Sequence, residues 1–444
     1  MKEFQACARK MLDFIDASPT PYHVVENLQK MLENHGYHEL KETDAWQVEP
    51  GNGYYVTRNG SSVIAFRIPA DENLIKGFHI VASHSDSPTF KVKESPDMQA
   101  EGVYAKLNTE KYGGMILSTW LDRALSVAGR VVVKAEQNKA CDAIPATEKD
   151  ASNEVSVRLV NMEEDLLVIP NLAIHMNRDL NKGVEYNPQI DMLPLFGMCE
   201  ESKTPFMEKL AQAAGVLVEQ ILGHDLFLYP REKGRIIGEN GAFVLSPRLD
   251  DLQCVFASMT AFVQATLTEY INVCAVFDNE EVGSGTKQGA DSTFLEDVLV
   301  RVGETLGYQR SEYLRMIAGS FLISADNAHA VHPNRPEKAD PTNRPFLNGG
   351  VVIKYHGSQK YCTDGVSGAK VKELCEKAKV PYQTYANRSD VAGGSTLGNL
   401  SNAHVSLSGA DIGLPQLAMH SAVETAGVKD TKYAQDMFAV YFAE

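Results

Sequence analysis

Four apolar runs in this chain each lead, on their carboxyl side, to a residue that can bind a metal ion. They are residues 78–83, followed by His84; 273–277, followed by Glu280 and Glu281; 321–325, followed by Asp326; and 417–419, followed by His420. Runs of this length are typical of buried strands in a parallel or mixed sheet, which carries its functional residues just beyond the carboxyl ends of its strands. The pattern predicts an α/β fold with a metal centre and points to a metallohydrolase.

The chain is too long for one ordinary core. Its 444 residues predict two domains, or one domain with a large insertion. Residues 94–245 consist of short alternating strands and loops rich in Asn, Pro and Glu, and candidate metal ligands resume only at Asp250. We therefore predict a catalytic domain made of residues 1–93 and 246–444, with a mixed sheet flanked by helices, and an inserted β-rich domain at 94–245.

Charge and composition argue against several classes of partner. The formal net charge of -16 argues against nucleic acid and anionic membranes, because both require a basic surface. The N-terminal residues lack the pattern of a signal peptide, and no apolar run approaches the length of a membrane span. The seven cysteines include no CxxC pair and indicate neither a disulfide framework nor a thiolate zinc site. We expect a cytoplasmic protein.

Taken singly, the candidate residues have simpler interpretations. A lone histidine such as His84 is more often structural, although Asp86 two residues later is placed to hold its second ring nitrogen. Asp250 precedes a predicted helix and resembles an N-cap. The pair Glu280 and Glu281 is harder to explain, because burying two carboxylates after an apolar strand requires a compensating cation or proton. Adjacent side chains point in different directions, so that one can bind a metal while the other faces a water.

Taken together, these residues match the needs of a two-zinc site. Two zinc ions that share a carboxylate need about three protein ligands each, and a further carboxylate must accept the proton of the attacking water. The chain offers His84, Asp250, Glu281, Asp326 and His420 as ligands and Glu280 as general base. We predict two divalent metal ions per subunit, with zinc as the first choice and manganese or cobalt as alternatives.

The sequence resembles the aspartyl aminopeptidase family of co-catalytic zinc peptidases along nearly its whole length. The resemblance lies in residues 81–93 (VASHSDSPTFKVK), 172–181 (LAIHMNRDLN), 246–252 (SPRLDDL), 277–290 (FDNEEVGSGTKQGA), 324–334 (SADNAHAVHPN), 351–355 (VVIKY), 388–398 (RSDVAGGSTLG) and 418–427 (AMHSAVETAG). The motifs are long and follow the family order. The resemblance implies an α/β phosphorylase/hydrolase-like catalytic domain and an inserted dimerisation domain, and family members assemble into tetrahedral dodecamers built from dimers.

The resemblance also implies how the metals are held. His84 and Asp326 would bind one ion, Glu281 and His420 the other, and Asp250 would bridge them.

Four further residues receive roles from the same resemblance. Asp86 would orient the His84 ring, and Glu280 would be the general base. His175 matches a histidine that reaches from the inserted domain into the active site of a neighbouring subunit and stabilises the oxyanion of the tetrahedral intermediate. Lys354 corresponds to a residue that meets the acidic side chain of the substrate in acid-preferring members. A satisfied loop histidine and an exposed strand-end lysine are the alternatives at these two positions.

Two departures from the family pattern bear on the substrate pocket. Asn327 follows Asp326 where an apolar residue is expected, and Ala392 and Gly393 replace a Pro-Cys-like pair. Neither departure removes a metal ligand.

The predicted function is removal of the N-terminal residue, Asp or Glu, from peptide substrates by a two-metal, bridging-hydroxide mechanism. The alternatives are an aminopeptidase for neutral N-terminal residues, a two-zinc deacylase or carboxypeptidase, and a non-enzymatic assembly protein.

Overall fold

The computed structural model describes residues 1–71, 75–135, 155–199, 204–266 and 268–444, and these form two compact units. The first unit comprises residues 1–86, 234–419 and 424–444, and the second comprises residues 87–233 and 420–423. The borders predicted from the sequence are 93/94 and 245/246. The first border differs because the strand that begins at Thr89 belongs to the sheet of the second unit, and the second differs because residues 235–246 form strands of the first unit.

The elements are numbered along the chain. The helices are α1 (Lys2–Asp16), α2 (Pro21–Asn34), α3 (Pro205–Ala214), α4 (Leu249–Gln264), α5 (Phe294–Thr305), α6 (Arg310–Ala318), α7 (Gly365–Ala378), α8 (Leu397–His404) and α9 (Asp430–Phe442). The strands are β1 (Tyr37–Glu39), β2 (Gly53–Arg58), β3 (Ser62–Arg67), β4 (Gly77–His84), β5 (Thr89–Ala100), β6 (Tyr104–Tyr112), β7 (Leu125–Lys134), β8 (Val155–Asn161), β9 (Leu195–Met198), β10 (Ile221–Pro230), β11 (Arg235–Ile237), β12 (Phe243–Ser246), β13 (Tyr270–Phe277), β14 (Phe321–Ala325), β15 (Ala328–His329), β16 (Val351–Lys354), β17 (Tyr382–Tyr385), β18 (Ser408–Gly413), β19 (Pro415–Leu417) and β20 (Glu424–Gly427).

The first unit is built on a nine-stranded mixed sheet with the order β1-β2-β3-β13-β4-β14-β18-β16-β17. Its centre, from β13 to β18, is parallel, whereas β3 pairs with β13 and β16 pairs with β18 in antiparallel fashion. Phe277 at the end of β13 pairs with His84 at the end of β4, and Ser324 in β14 pairs with Ala82. Three of the four apolar runs therefore end at the same edge of one sheet, as the sequence predicted.

Helices cover both faces of this sheet. In β4, Ile80 and Ala82 belong to a core that includes residues of α5, α6 and α8, whereas Val81 belongs to a second core with residues of α1, α2, α4, α7 and α9. All eight residues of β4 are buried. Burial on both faces explains why these strands are continuous apolar runs rather than alternating ones. The predicted α/β class, a mixed sheet flanked by helices, is confirmed.

The fourth apolar run differs from the other three. Its strand, β19, ends at Leu417 and lies in a separate five-stranded sheet with the order β11-β12-β20-β19-β15. Ala418 and His420 have φ values of 56° and 66°, so the chain leaves the extended conformation before it reaches His420. The prediction that a strand carries this histidine directly is therefore wrong.

The second unit contains a six-stranded antiparallel sheet with the order β8-β7-β10-β5-β6-β9. Phe206 and Leu210 of α3 are buried in its core together with Val131 and Leu226 of the sheet. Among the described residues of the whole chain, no helix is both long and apolar enough to cross a bilayer.

Candidate metal centre

His84 lies at the centre of the candidate site. Its Nδ1 is 3.1 Å from the backbone carbonyl oxygen of Asp86 and 3.3 Å from the Oδ1 of the same residue. Because these oxygens accept, Nδ1 is the donor, so the neutral ring, which is the form that binds a metal, has its lone pair on Nε2. Nε2 lies 3.5 Å from Oδ1 of Asp250 and 3.6 Å from Oδ1 of Asp326. The histidine therefore presents its metal-binding nitrogen to two carboxylates.

Asp86 also organises the turn after β13. Its Oδ1 and Oδ2 accept the backbone N–H groups of Glu280 and Glu281, both at 3.1 Å. Asn279 precedes these residues with a φ of 62°, and its Oδ1 accepts bonds from Thr286 at 2.9 Å and Gln288 at 2.8 Å. The turn is thus held from both sides, and it places Glu280 and Glu281 next to His84, with one ligand atom of each within 4.8 Å of the others.

Two acidic residues occupy the first turn of α4. Asp250 has a φ of -84° and a ψ of 109°, and both it and Asp251 depart from helical geometry. Asp251 is buried and its Oδ2 accepts the backbone N–H of His84 at 3.2 Å. The N-cap of α4 is Arg248, and the carboxylate of Asp250 faces Nε2 of His84, so the N-cap interpretation of Asp250 is wrong.

Asp326 extends β14 by one residue, since its backbone N–H donates to the carbonyl of Ile412 in β18 at 3.1 Å. Its Oδ2 accepts a hydrogen bond from Nζ of Lys354 at 3.2 Å, and Lys354 is 2% exposed. The alternative of an exposed strand-end lysine is therefore wrong. Burial opposes the charge of Lys354, but the interactions with Asp326, Tyr361 and Asp411 together outweigh burial and raise the lysine pKa well above its ordinary value.

Negative charge dominates the site. Burial opposes protonation of His84, but Asp250, Asp326 and Asp86 together raise its pKa well above the ordinary value. Burial raises the pKa of Glu280, and the charges of Asp326 and Glu281 add to the effect, whereas His84 opposes it. Carboxylates this close need a cation or protons to remain buried.

The donor set fits zinc. Two atoms bound to one tetrahedral zinc ion at about 2.0–2.1 Å lie about 3.3 Å apart. The separations of 3.5 and 3.6 Å from Nε2 of His84 to Asp250 and Asp326 are close to this value and long for hydrogen bonds. His84, Asp251 and Asp326 also have ligand atoms within 4.8 Å of one another. One nitrogen and several carboxylate oxygens in this arrangement are a typical zinc donor set.

The family description Aminopeptidase I zinc metalloprotease (M18) matches residues 14–442. The chain belongs to the M18 family of zinc aminopeptidases. The resemblance to aspartyl aminopeptidases is confirmed at this level, since they are members of the same family. The chain is a zinc-dependent aminopeptidase, as predicted, and not a deacylase, a carboxypeptidase or a non-enzymatic assembly protein.

Individual relatives agree with this assignment. The probable M18 family aminopeptidase 2 of Clostridium novyi is 46% identical over 445 residues and covers 100% of both chains. The probable M18 family aminopeptidase 2 of Pseudomonas aeruginosa is 38% identical and covers 98% of this chain and 97% of the relative. A chain of the Ape4 and Nbr1 complex, solved by cryo-EM, has a TM-score of 0.92 at 37% identity and covers 99% of this chain and 86% of that one. Yeast aminopeptidase 1 has a TM-score of 0.84 at 28% identity and covers 99% and 97%.

Two predicted site residues of the M18 chain lie in the second unit. His420 directly follows Met419, the last residue of one segment of the first unit, and its Nδ1 donates to the carbonyl of Gly114 at 3.0 Å. That bond places the lone pair on Nε2. His175 is exposed and lies in a turn between Ile174 and Met176, whose side chains are 44% and 76% exposed.

The two departures from the family pattern have structural reasons. The side chain of Asn327 is buried and donates to the carbonyl of Leu249 at 3.0 Å. A Cβ atom on Gly393 would lie 2.0 Å from Nδ2 of Asn387 and 2.8 Å from Nε2 of His356. A larger residue at position 393 would therefore have to displace the ends of these two side chains.

Sequence reasoning did not select Asp251 or Glu424 in this M18 aminopeptidase. Asp251 is buried beside His84, and Glu424 accepts the backbone N–H of Asp250 at 3.1 Å. The adjacent acids Asp250 and Asp251 could have been recognised in the sequence as candidate site residues, in the same way as Glu280 and Glu281. Glu424 lies within an otherwise small and apolar stretch, AVETAG, and a single acid there indicates nothing by itself.

Proposed function

We propose that this chain removes acidic N-terminal residues from peptides with two divalent metal ions. His84 and Asp326 would hold one ion, Glu281 and His420 the other, and Asp250 would bridge them. The observation that carries the proposal is the convergence of Asp250 and Asp326 on Nε2 of His84, at 3.5 and 3.6 Å. When bound, the ions would lower the pKa of a water molecule and polarise the scissile carbonyl.

Glu280 is proposed as the general base. Its backbone is fixed by Asp86, and its pKa lies well above the ordinary value because of burial and its acidic neighbours. A carboxylate in this position would accept a proton from the attacking water and return it to the leaving amine. Glu281, whose N–H bonds the other oxygen of Asp86, remains available as a ligand.

Lys354 is proposed to select acidic substrates. Its ammonium is buried, lies next to the candidate ligand Asp326, and is 5.5 Å from the centre of the Tyr361 ring. A buried cation in this position attracts a carboxylate far more strongly than an exposed one, because solvent does not screen it.

Neutral N-terminal residues are the second candidate substrates. The charge of Lys354 is already paired with Asp326 at 3.2 Å, and an ammonium that is fully compensated by this carboxylate would offer no preference for a second one. We prefer acidic substrates, because a metal ion bound to Asp326 would take up part of the negative charge of this carboxylate. The positive charge of Lys354 would then be less fully compensated.

The active form is proposed to be a homododecamer built from dimers, in which His175 serves a neighbouring subunit. The S. cerevisiae relative mApe1 is described as a dodecamer. Apolar side chains that flank an exposed histidine, here Ile174 and Met176, suit a subunit interface. We also propose a cytoplasmic location, since Cys7, Cys254 and Cys274 are buried free thiols of the kind found in reducing compartments.

The proposal is tested with aminoacyl chromogenic substrates carrying Asp, Glu, Leu or Ala, each with a free and with an acetylated amine. The protein is loaded with Zn, Mn or Co, and its metal content is measured. Cleavage of free Asp or Glu substrates above Leu, with two ions per chain, is expected. A single ion per chain would contradict the two-metal proposal, and preference for Leu would contradict the acidic one.

A further inference from the structure

A buried polar network connects the segment after β14 to the first turn of α4. Nδ2 of Asn327 donates to Oε1 of Gln416 at 2.7 Å and to Oε1 of Gln253 at 3.2 Å. The same amide donates to the carbonyl of Leu249 at 3.0 Å. Asn327, Gln253 and Gln416 are each 2% exposed or less. Because all three partner atoms are oxygens that only accept, Asn327 is their shared donor.

The network continues to Glu424. Nε2 of Gln416 donates to Oε1 of Glu424 at 3.4 Å, and Oε2 of Glu424 accepts the backbone N–H of Asp250 at 3.1 Å. The carbonyl of Leu249 and the N–H of Asp250 belong to the same peptide group. Asn327 therefore holds one side of this peptide group and Glu424 holds the other.

The backbone at Asp250 needs such support. Asp250 and Asp251 depart from helical φ and ψ, so the regular hydrogen bonds of α4 do not define their orientation. Their carboxylates also lie near that of Asp326, and like charges at short range push one another apart. Without a bound cation, fixed backbone geometry helps to keep these groups in place.

We propose that Asn327 and Glu424 are positioning residues that fix the Leu249–Asp250 peptide group, so that the Asp250 carboxylate faces Nε2 of His84 before a metal binds. The inference rests on the proposed metal centre and adds residues that touch neither metal nor substrate. Asn327 directly follows Asp326 in the chain, and its side-chain amide is bonded to the carbonyl of Leu249, the residue before Asp250. This amide therefore links the backbone at Asp326 to the backbone at Asp250, the two residues whose carboxylates face His84. A site held in its binding geometry binds metal more tightly, because less ordering is required on binding.

The test is Asn327→Leu, which introduces the apolar residue that the family pattern predicts and removes the shared donor. Zinc affinity is measured by competition with a chromogenic chelator, and kcat is measured separately at saturating zinc. We expect zinc to bind roughly tenfold to hundredfold more weakly, as is typical when a partner of a metal ligand is lost. At saturating zinc, kcat should stay close to that of the wild type, since the chemical groups are unchanged.

A matched control separates positioning from general loss of stability. Asn272 is also a buried asparagine of the first unit, and its Nδ2 donates to the carbonyl of Phe442 at 2.8 Å. Asn272→Leu should lower the unfolding temperature of the metal-free protein and leave zinc affinity unchanged. If Asn272→Leu weakens zinc binding as much as Asn327→Leu does, the positioning role is refuted.

A second variant covers the case in which Asn327→Leu does not fold. Glu424→Met keeps a side chain of similar length but removes both acceptors, so that the N–H of Asp250 and the amide of Gln416 both lose their partner. Zinc binding as tight as in the wild type would overturn the proposal, and weaker binding with unchanged kcat at saturation would support it. If the wild type itself binds no divalent ion, the proposed metal centre fails instead, which distinguishes the two outcomes.

Discussion

The carboxylate of Asp86 accepts the backbone N–H of Glu280 at 3.1 Å, while its second oxygen accepts the next N–H along the chain at the same distance. Asp86 therefore does more than orient the ring of His84, which was its predicted role. It fixes the turn that carries the proposed general base. One side chain thereby couples the position of the proposed metal ligand His84 to the position of the proposed base.

Replacing Asp86 with Asn should damage catalysis more than metal loading. Asparagine keeps one acceptor but turns an N–H group towards one of the two backbone N–H groups, so the turn at Glu280 must shift. We expect kcat to fall by roughly tenfold to hundredfold. The measurement is kcat together with metal content. Asp278→Asn changes another acid of the same turn and is the control; an equal loss in both variants would contradict a special role for Asp86.

Glu280→Gln should keep both ions and lose most turnover. Loss of a general base typically costs about 10²–10⁴-fold in rate. Metal content is measured by mass spectrometry of the purified protein, and kcat is measured with a Glu substrate. The matched variant is Glu281→Gln, which should lose metal. The assignment is reversed if Glu280→Gln loses metal while Glu281→Gln retains it.

Lys354→Leu should abolish the preference for acidic substrates. A charge-assisted hydrogen bond contributes about 1.5–3 kcal/mol, which corresponds to roughly tenfold to hundredfold selectivity. The ratio of kcat/KM for Glu and Leu substrates is compared in wild type and variant. Because Lys354 also pairs with Asp326, metal content is measured in parallel. An unchanged ratio in a fully loaded variant would rule out Lys354 as the selector.

His175→Ala and Glu280→Gln subunits should complement each other. If each site uses the histidine of a neighbouring subunit, a mixed oligomer contains some sites with both Glu280 and a neighbour's His175. Each variant alone should be nearly inactive, and co-expression should restore part of the activity. Mixed oligomers are verified by purification through two different tags. The absence of restored activity in verified mixtures would refute the trans arrangement.

His79 should make the fold sensitive to acid. Its ring is stacked between Tyr270 and Tyr441, with centroid distances of 3.8 and 4.6 Å. Burial, aided by the charge of Lys370, lowers its pKa from 6.5 to about 3. The native state thus resists protonation of His79. The stability that neutral His79 contributes is therefore fully present above pH 6.5 and is lost as the pH drops towards 3.

The test of this sensitivity is His79→Phe, which keeps the stacked ring. His79 should contribute a loss of about 1.4 kcal/mol of unfolding free energy per pH unit below the ordinary histidine pKa, so the variant should lose less than the wild type by about this amount. Urea unfolding of the metal-free protein at pH 7 and pH 5 measures the difference. His38→Phe, at an exposed position of β1, is the control. Equal pH dependence in wild type and His79→Phe would show that another group is responsible.

The sequence by itself determined three apolar strands, β4, β13 and β14, and the residues that follow them. Strand β4, for example, is buried along its whole length, and such a strand is mostly apolar, so residues 78–83 were recognisable without any partner. Because parallel strands expose their carboxyl ends at one edge, His84, Asp326 and the Glu280-Glu281 pair followed from the same pattern. The family motifs supplied the rest of the candidate set, including His175 and Lys354.

Only the tertiary structure decided which polar groups support these residues. Asn327 lies 78 positions from Leu249 in the chain, and Glu424 lies 174 positions from Asp250, yet each forms a hydrogen bond with its distant partner. Local sequence patterns report on neighbours within a few residues and not on contacts between distant segments. A buried asparagine or glutamate looks the same in the sequence as an exposed one, and its role appears only when the fold removes it from water and supplies its partners.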